Sequence, residues 1–369
     1  MDSNSQDSIL VDMVIAVHSP DRPIERAVAS LIAGGLPTEP GISGRLRISV
    51  VCHNTDVAPI RDRVAPEHRG LIRFLHYVDG IQSPAGPFNY GLSEATGNWV
   101  GIMGSDDSLE IGAVAAWAGA ASADGADVLV APMAHAGGGS IRTPVVRRTR
   151  RVGLDPISDR LAYRSAPLGL MKRSLIRDLG LAFLTSYASG EDQLFSAKLW
   201  FSGARITYGR GLPRYLVHDD AVARVSLTGR PIADDMAFAT GLVATDWFSG
   251  LTAKARESIV TKLVRVHVFG QVALRSAAGS WSADDSAALA EVLEVMLVSA
   301  PNALRPLSRA DRALVDALVR HEGDCGLMDR LSSSRRNFSS PATWFPLEIA
   351  AVFHPEAPMR FMVASALVR

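Results

Sequence analysis

The chain has 369 residues, 47% of them hydrophobic and 21% charged, which excludes a disordered or fibrous protein and leaves room for two domains with proper cores. Basic and acidic side chains balance at 38 each, so a general electrostatic partner such as nucleic acid is not expected. Two cysteines, Cys52 and Cys325, can build neither a disulfide scaffold nor a four-Cys zinc site and suit a reducing compartment.

In chain order, the Ser- and Asp-rich start lacks the basic and apolar regions of a signal peptide, and no apolar run reaches the ~20 residues of a membrane span. A cytoplasmic protein is expected, at most peripheral at the inner face of the cell membrane. Val11 to Val17 reads as a buried strand, and Pro23 opens a helix with Ile24, Ala27, Val28 and Leu31 on one face. Strands follow at Ile48 to Cys52 and Ile72 to Val78, then a helix around Asn89 to Ala95. Next come a strand at Trp99 to Met103, a helix from about Leu109 to Ala121 and a strand at Val128 to Ala131. This alternation predicts an α/β fold, a mostly parallel sheet flanked by helices, with ligands beyond the carboxyl ends of the strands.

Ala134 to Leu168 breaks the pattern. It holds a Gly-rich stretch, His135 to Ser140, that reads as a hairpin tip, and a run over residues 142–151 with five arginines and no acid, Arg142, Arg147, Arg148, Arg150 and Arg151. Helices are expected near Lys172 to Asp178 and over Glu191 to Phe201, and a strand at Arg205 to Tyr208. Beyond about residue 231 only amphipathic helical stretches are expected, at 233–249, 252–275, 283–298 and 308–320, followed by forty irregular residues. The division is thus an α/β domain over 1–230 and a helical region over 231–369. The helical stripes suit a bundle packed on the first domain, a homo-oligomer surface or a peripheral membrane contact.

There is no P-loop, Gly-x-Gly-x-x-Gly, His-Glu-x-x-His or Gly-x-Ser-x-Gly, which argues against ordinary NTPases, nicotinamide enzymes, zinc proteases and α/β-hydrolases. Three local features carry chemistry instead. Gly104-Ser105-Asp106-Asp107 follows a buried strand and reads either as a turn or as a carboxylate pair for a divalent cation. Gly190-Glu191-Asp192 precedes a helix, where the acids complement the macrodipole or one serves as a general base. His218-Asp219-Asp220 sets a histidine beside two acids, with Arg224 close behind.

Taken together over about residues 10 to 230, these segments resemble the GT-A-fold glycosyltransferases of family 2. VIAVHSPDRPIERAVASL is similar to the family's opening nucleotide-binding element. FNYGLSEATGNWVGIMGSDD is similar to its Asn-x-Gly, Ala-x-Gly, strand and Asp-x-Asp stretch, and SGEDQLFSAKLWFSGARI to the segment with its Glu-Asp pair. The resemblance implies an inverting transferase that moves a sugar from a nucleotide-diphosphate-sugar donor to a glycan, glycopolymer or lipid-linked acceptor. In that scheme Asp192 is the base and Glu191 supports it. His18, Ser19, Pro20, Arg22, Asn54, Asn89, Ser105, Asp106 and Arg224 meet the donor, and Mn²⁺ or Mg²⁺ sits on Asp106, with Asp107 and His218. The departures are His18-Ser19-Pro20 in place of an Asn, Asn54 in place of a base-binding Asp, and Gly104 in place of the first Asp of Asp-x-Asp. They keep a non-catalytic nucleotide-sugar or glycan-binding module in view; a nucleotidyltransferase would need a Gly-rich loop that His18 to Arg22 lacks. The arginine run reads as a solvated loop or as a seat for a phosphate-bearing acceptor.

Overall fold

The structure is a computed structural model that describes residues 9–39, 42–187, 189–220 and 230–367. Its centre is a seven-stranded sheet, in spatial order β10-β6-β9-β4-β1-β2-β3. These strands are β1 (Ile9–Val17), β2 (Arg45–His53), β3 (Ile72–Tyr77), β4 (Trp99–Gly104), β6 (Val128–Val130), β9 (Gly169–Lys172) and β10 (Ile206–Tyr208). β1 pairs in parallel with β2 and β4, β2 with β3 and β10 with β6, while β9 runs antiparallel between β4 and β6. Central strands covered on both faces must be apolar almost throughout, which is why β1 and β2 read as hydrophobic runs rather than alternations. The helix Ile24–Ile32 buries Ile24, Ala27, Val28 and Leu31, the face expected from their spacing.

A second, four-stranded sheet of β5 (Ser108–Leu109), β11 (Tyr215–Val217), β7 (Met133–His135) and β8 (Ser140–Ile141) lies in the order β5-β11-β7-β8. It corrects one expectation. Ser108 and Leu109 pair with β11 instead of opening a helix, so that helix spans Ala113–Ala123. In the seven-stranded sheet, β9 falls between the expected excursion and the expected helix near Lys172, where no strand is expected, because its place is set by pairing with β4 and β6 rather than by its own four-residue pattern. The Gly-rich stretch is the tip of the antiparallel β7–β8 hairpin, as expected.

Helices occupy the rest. Ile232–Val243, Ala253–Leu263, Phe269–Ala277, Ala283–Ser299 and Arg309–Val319 share one core built on Met236, Phe248, Phe269, Leu293 and Leu314. The stretch expected as one helix over 252–275 contains a π-helical turn at Val264–Val268. The last forty residues are less irregular than expected: the helix Cys325–Ser334 runs into them and Pro358–Leu367 lies among them. No helix among the described residues is long and apolar enough to cross a membrane.

The C-terminal segment is tied back to the α/β half by hydrogen bonds from Tyr163 and Arg160, around a buried ion pair. Glu356, fully buried, accepts from Tyr163 Oη at 2.9 Å and from Arg265 Nη1 at 3.0 Å. Removing one member of a buried pair strands the other's charge. Glu356→Ala is therefore expected to destabilise the protein by about 3–5 kcal/mol, read from chemical denaturation.

Candidate active site

β1, β2, β3 and β4 end at one edge of the sheet, and the loops that follow them carry most of the expected residues. After β1, the turn over His18 to Arg22 is held by the Arg22 N–H donating to the Ser19 carbonyl at 3.2 Å and by the Asp21 N–H donating to Ser19 Oγ at 3.1 Å. It aims Arg22 across the gap to Asp106, with Nη1 to Oδ2 at 3.0 Å. One turn further along the first helix, Arg26 donates to the Asp106 carbonyl and forks onto Asp220 at 2.7 and 3.0 Å. Desolvation of its ring, then the charges of Arg22 and His53, lower the His18 pKa and favour a neutral imidazole.

After β2, Asn54 adopts φ 52° and its amide is taken up locally. Its Oδ1 accepts from the backbone of Asp79 at 3.1 Å and Gly80 at 3.0 Å, while Nδ2 donates to the Ile81 carbonyl at 3.2 Å. Asn54 thus shapes the turn after β3. On the loop after the neighbouring strand, Asp79 Oδ1 pairs with His53 Nε2 at 2.7 Å, and its buried Oδ2 has no partner among the described residues.

After β4, Asp106 and Asp107 have different roles. Tyr215 Oη donates to Asp107 Oδ2 at 2.6 Å and accepts from the Gly104 N–H at 3.0 Å, and the His218 N–H donates to Asp107 Oδ1 at 3.2 Å. Burial first, then the neighbouring Asp106 charge, raise the Asp107 pKa. β11 pairs with β5 and so brings His218 Nε2 to Ser108 Oγ at 2.8 Å. Gly104 has a geometric reason: a Cβ there would stand 2.8 Å from Asp107 Oδ2 and 3.2 Å from Asp106 Oδ1. Asp106, Asp107 and His218 are gathered at one end of the fold, yet no three His, Cys, Asp or Glu side chains among the described residues form a ready-made cation cage. Ser105, just before Asp106, is buried, and Arg224 lies outside the described residues.

The Glu191–Asp192 loop makes its contacts elsewhere. Asn89 grips it indirectly, donating to the Phe183 carbonyl and accepting from the Phe183 N–H, both at 2.8 Å, and the next residue, Leu184, donates to the Glu191 carbonyl at 3.1 Å. With both ends of its amide on Phe183, Asn89 braces this loop. Gly190 sits at φ 74° against the Phe238 ring, where a Cβ would come within 2.3 Å. Only glycine satisfies both the left-handed backbone and the contact. Asp192 precedes the helix Gln193–Trp200, but its side chain caps no backbone N–H. It accepts from Gln193 Nε2 at 2.8 Å. Burial, then the Asp192 charge, push Glu191 up to about 7. Burial also raises Asp192, opposed by the positive charge of Lys262 and the bond from Gln193.

The arginine run is not one free patch. Arg147 forks onto fully buried Asp159 at 2.8 and 2.7 Å, and Arg151 onto Asp124 at 2.7 Å through both nitrogens. Arg142, Arg148 and Arg150 are exposed. Sequence reasoning also passed over Arg26, Asp79, Tyr215 and Lys262. Arg26 alone had a visible signal, its place four residues after Arg22 on the first helix.

No family model matches the chain. Among curated proteins, poly(ribitol-phosphate) β-N-acetylglucosaminyltransferase TarP of Staphylococcus aureus is 22% identical over 178 residues, 48% of this chain and 54% of TarP. The chain thus spans about half the length of that relative. Among solved structures, S. aureus TarS 1–349 in complex with UDP-GlcNAc matches with a TM-score of 0.70 at 17% identity, over 89% of this chain and 91% of that one. The same protein in complex with UDP matches with a TM-score of 0.65 at 18% identity, over the same shares. The fold is that of TarS, GT-A-like. The architecture implied by the three motif segments is therefore present, with the helical region included in the match.

Proposed function

We propose that the chain is an inverting, metal-dependent glycosyltransferase of the family 2 type, transferring a sugar from a nucleoside diphosphate to a hydroxyl of a phosphate-bearing envelope glycopolymer. The observation that carries this reading is the set of Arg22, Arg26, Asp106 and Asp107 at the ligand edge of a sheet whose solved counterpart, TarS, was captured with UDP-GlcNAc. TarP, a poly(ribitol-phosphate) β-N-acetylglucosaminyltransferase, supports the acceptor class.

Asp192 takes the proton of the acceptor hydroxyl as its oxygen attacks the anomeric carbon from the face opposite the leaving group. The new C–O bond forms as the bond to the diphosphate breaks, and the diphosphate departs with the electron pair. Arg22 lies where it can exchange Asp106 for a phosphate oxygen, and a guanidinium fork suits that partner. Asp106 and Asp107, with His218 beside them, are the residues that would hold a Mg²⁺ or Mn²⁺, and since they form no protein cage the donor would have to share in binding it. Such an ion supplies charge neutralisation at the departing diphosphate. Asp79, whose Oδ2 has no partner among the described residues, is the carboxylate offered to the donor at the β3 end.

We place the enzyme in the cytoplasm, peripheral at the inner face of the cell membrane. The exposed Ile349, Phe353 and Val363 support that position or contact with a second copy.

UDP-GlcNAc is the first donor to test. Mn²⁺-dependent stabilisation by UDP, together with slow release of the sugar to water, is expected. Binding with neither hydrolysis nor transfer to a ribitol-phosphate polymer would make the chain a non-catalytic binding module. For the acceptor, replacing Arg142, Arg148 and Arg150 with Ser is expected to weaken transfer at low salt about tenfold while leaving hydrolysis intact, since each exposed charge adds a modest, screened attraction. Equal retention of both would return the three arginines to a solvated loop.

A further inference from the structure

We propose that Lys262, on the helix Ala253–Leu263 of the C-terminal helical region, is a positioning residue of the candidate active site. It fixes the orientation of Gln193 and keeps the buried Asp192 carboxylate ionised. The inference rests on reading Asp192 as the base.

Lys262 is 2% exposed, one of only four lysines in the chain, and lies beyond the motif-bearing stretch of about residues 10 to 230. Its ammonium donates to Gln193 Oε1 and meets His267 Nε2 at 3.0 Å. Gln193 in turn donates from Nε2 to Asp192 Oδ1 at 2.8 Å. An amide has one acceptor end and one donor end, so an ammonium on the oxygen leaves the NH₂ for the carboxylate. The sense of the whole chain, from His267 through Lys262 and Gln193 to Asp192, follows from that polarity. Held at Oδ1, Asp192 is left to take up a proton at Oδ2.

The π-helical turn at Val264–Val268 makes the arrangement possible, because its wider winding sets residues five apart side by side. His267 is kept neutral by burial and by the adjacent Lys262 charge, so it accepts from the ammonium rather than opposing it. Burial draws Lys262 down to about 8, and the Asp192 charge is what opposes that fall. The other charged groups nearby do not replace it. Glu191, beside Asp192, repels it, and Asp235, on the helix that packs against Gly190, is paired with Arg230 at 2.8 Å and Arg275 at 3.6 Å. A buried carboxylate without a countercharge takes up a proton, so Lys262 is the group that keeps a base available.

The test is a titration of Asp192 in the full chain carrying ¹³Cγ-labelled aspartate, its resonance assigned by its disappearance in Asp192→Asn. Lys262→Met, which keeps the stem's volume, is expected to raise the Asp192 midpoint by about one unit or more. The acid limb of kcat should move with it, KM for UDP-GlcNAc should stay, and Lys262→Arg should partly restore both. If Lys262→Met does not fold, Gln193→Leu breaks the same relay and is expected to shift the midpoint in the same direction. An unmoved midpoint in a folded variant overturns the role of Lys262 and leaves the base assignment standing. Normal turnover by Asp192→Asn overturns the base assignment without touching the titration.

Discussion

Asp192→Asn is expected to lower sugar transfer by about two to four orders of magnitude, roughly 3–5 kcal/mol of barrier, while UDP still binds. The amide is nearly isosteric and its oxygen still accepts from Gln193, so the loop braced by Asn89 and Gly190 keeps its shape. Only the proton acceptor is lost. The wild-type pH profile should carry the same signature. Burial raises the Asp192 pKa, so the base is protonated over a range where an exposed aspartate is already ionised, and kcat falls as pH drops through that raised value. Glu191, pushed up to about 7, adds a second proton near neutrality and steepens the acid limb. Initial rates from pH 5 to 8, with UDP binding followed by thermal shift in parallel, separate the two effects. A variant that turns over at the wild-type rate removes Asp192 from the base role.

What could be read in the sequence was whatever local pattern determines. β1, β2 and β4 announce themselves because a central parallel strand is apolar on both faces, and the helix Ile24–Ile32 because its four buried residues recur at helical spacing. β9 and β5 could not be read this way. Each is short, and each exists because of the strand beside it. The site divides along the same line. Asp106, Asp107, Glu191 and Asp192 sit at element ends, where a carboxylate stands out. Asn54 and Asn89 also stood out, but in the structure their amides serve backbone partners at Asp79 and Gly80 and at Phe183. Lys262 and Tyr215 carried no signal, since what matters about them is a partner 69 or 108 positions away in the chain.

Asp106→Ala is expected to abolish the Mn²⁺-dependent part of UDP binding and to lower transfer by about two to three orders of magnitude. EDTA on the wild type should match it, with activity restored by Mn²⁺ or Mg²⁺ only where Asp106 is intact. The loss has two sources. The carboxylate is the one expected to grip the cation, and it also accepts from Arg22 at 3.0 Å, so its removal takes away one partner of a guanidinium that should then partly compensate by pairing with the diphosphate directly. Residual metal-independent UDP binding in Asp106→Ala, lost again in the double variant with Arg22→Ala, would reveal that exchange. Gly104 gives a sharper form of the same test. Rebuilding the complete motif with Gly104→Asp looks like a gain of one metal ligand. Yet the new Cβ would press on Asp107 at 2.8 Å and Asp106 at 3.2 Å, and its charge would join two carboxylates already in repulsion. The variant is therefore expected to bind Mn²⁺–UDP more weakly than the wild type, measured by calorimetry. Tighter binding would mean that the glycine is a vacancy in the metal site rather than the space the two aspartates require.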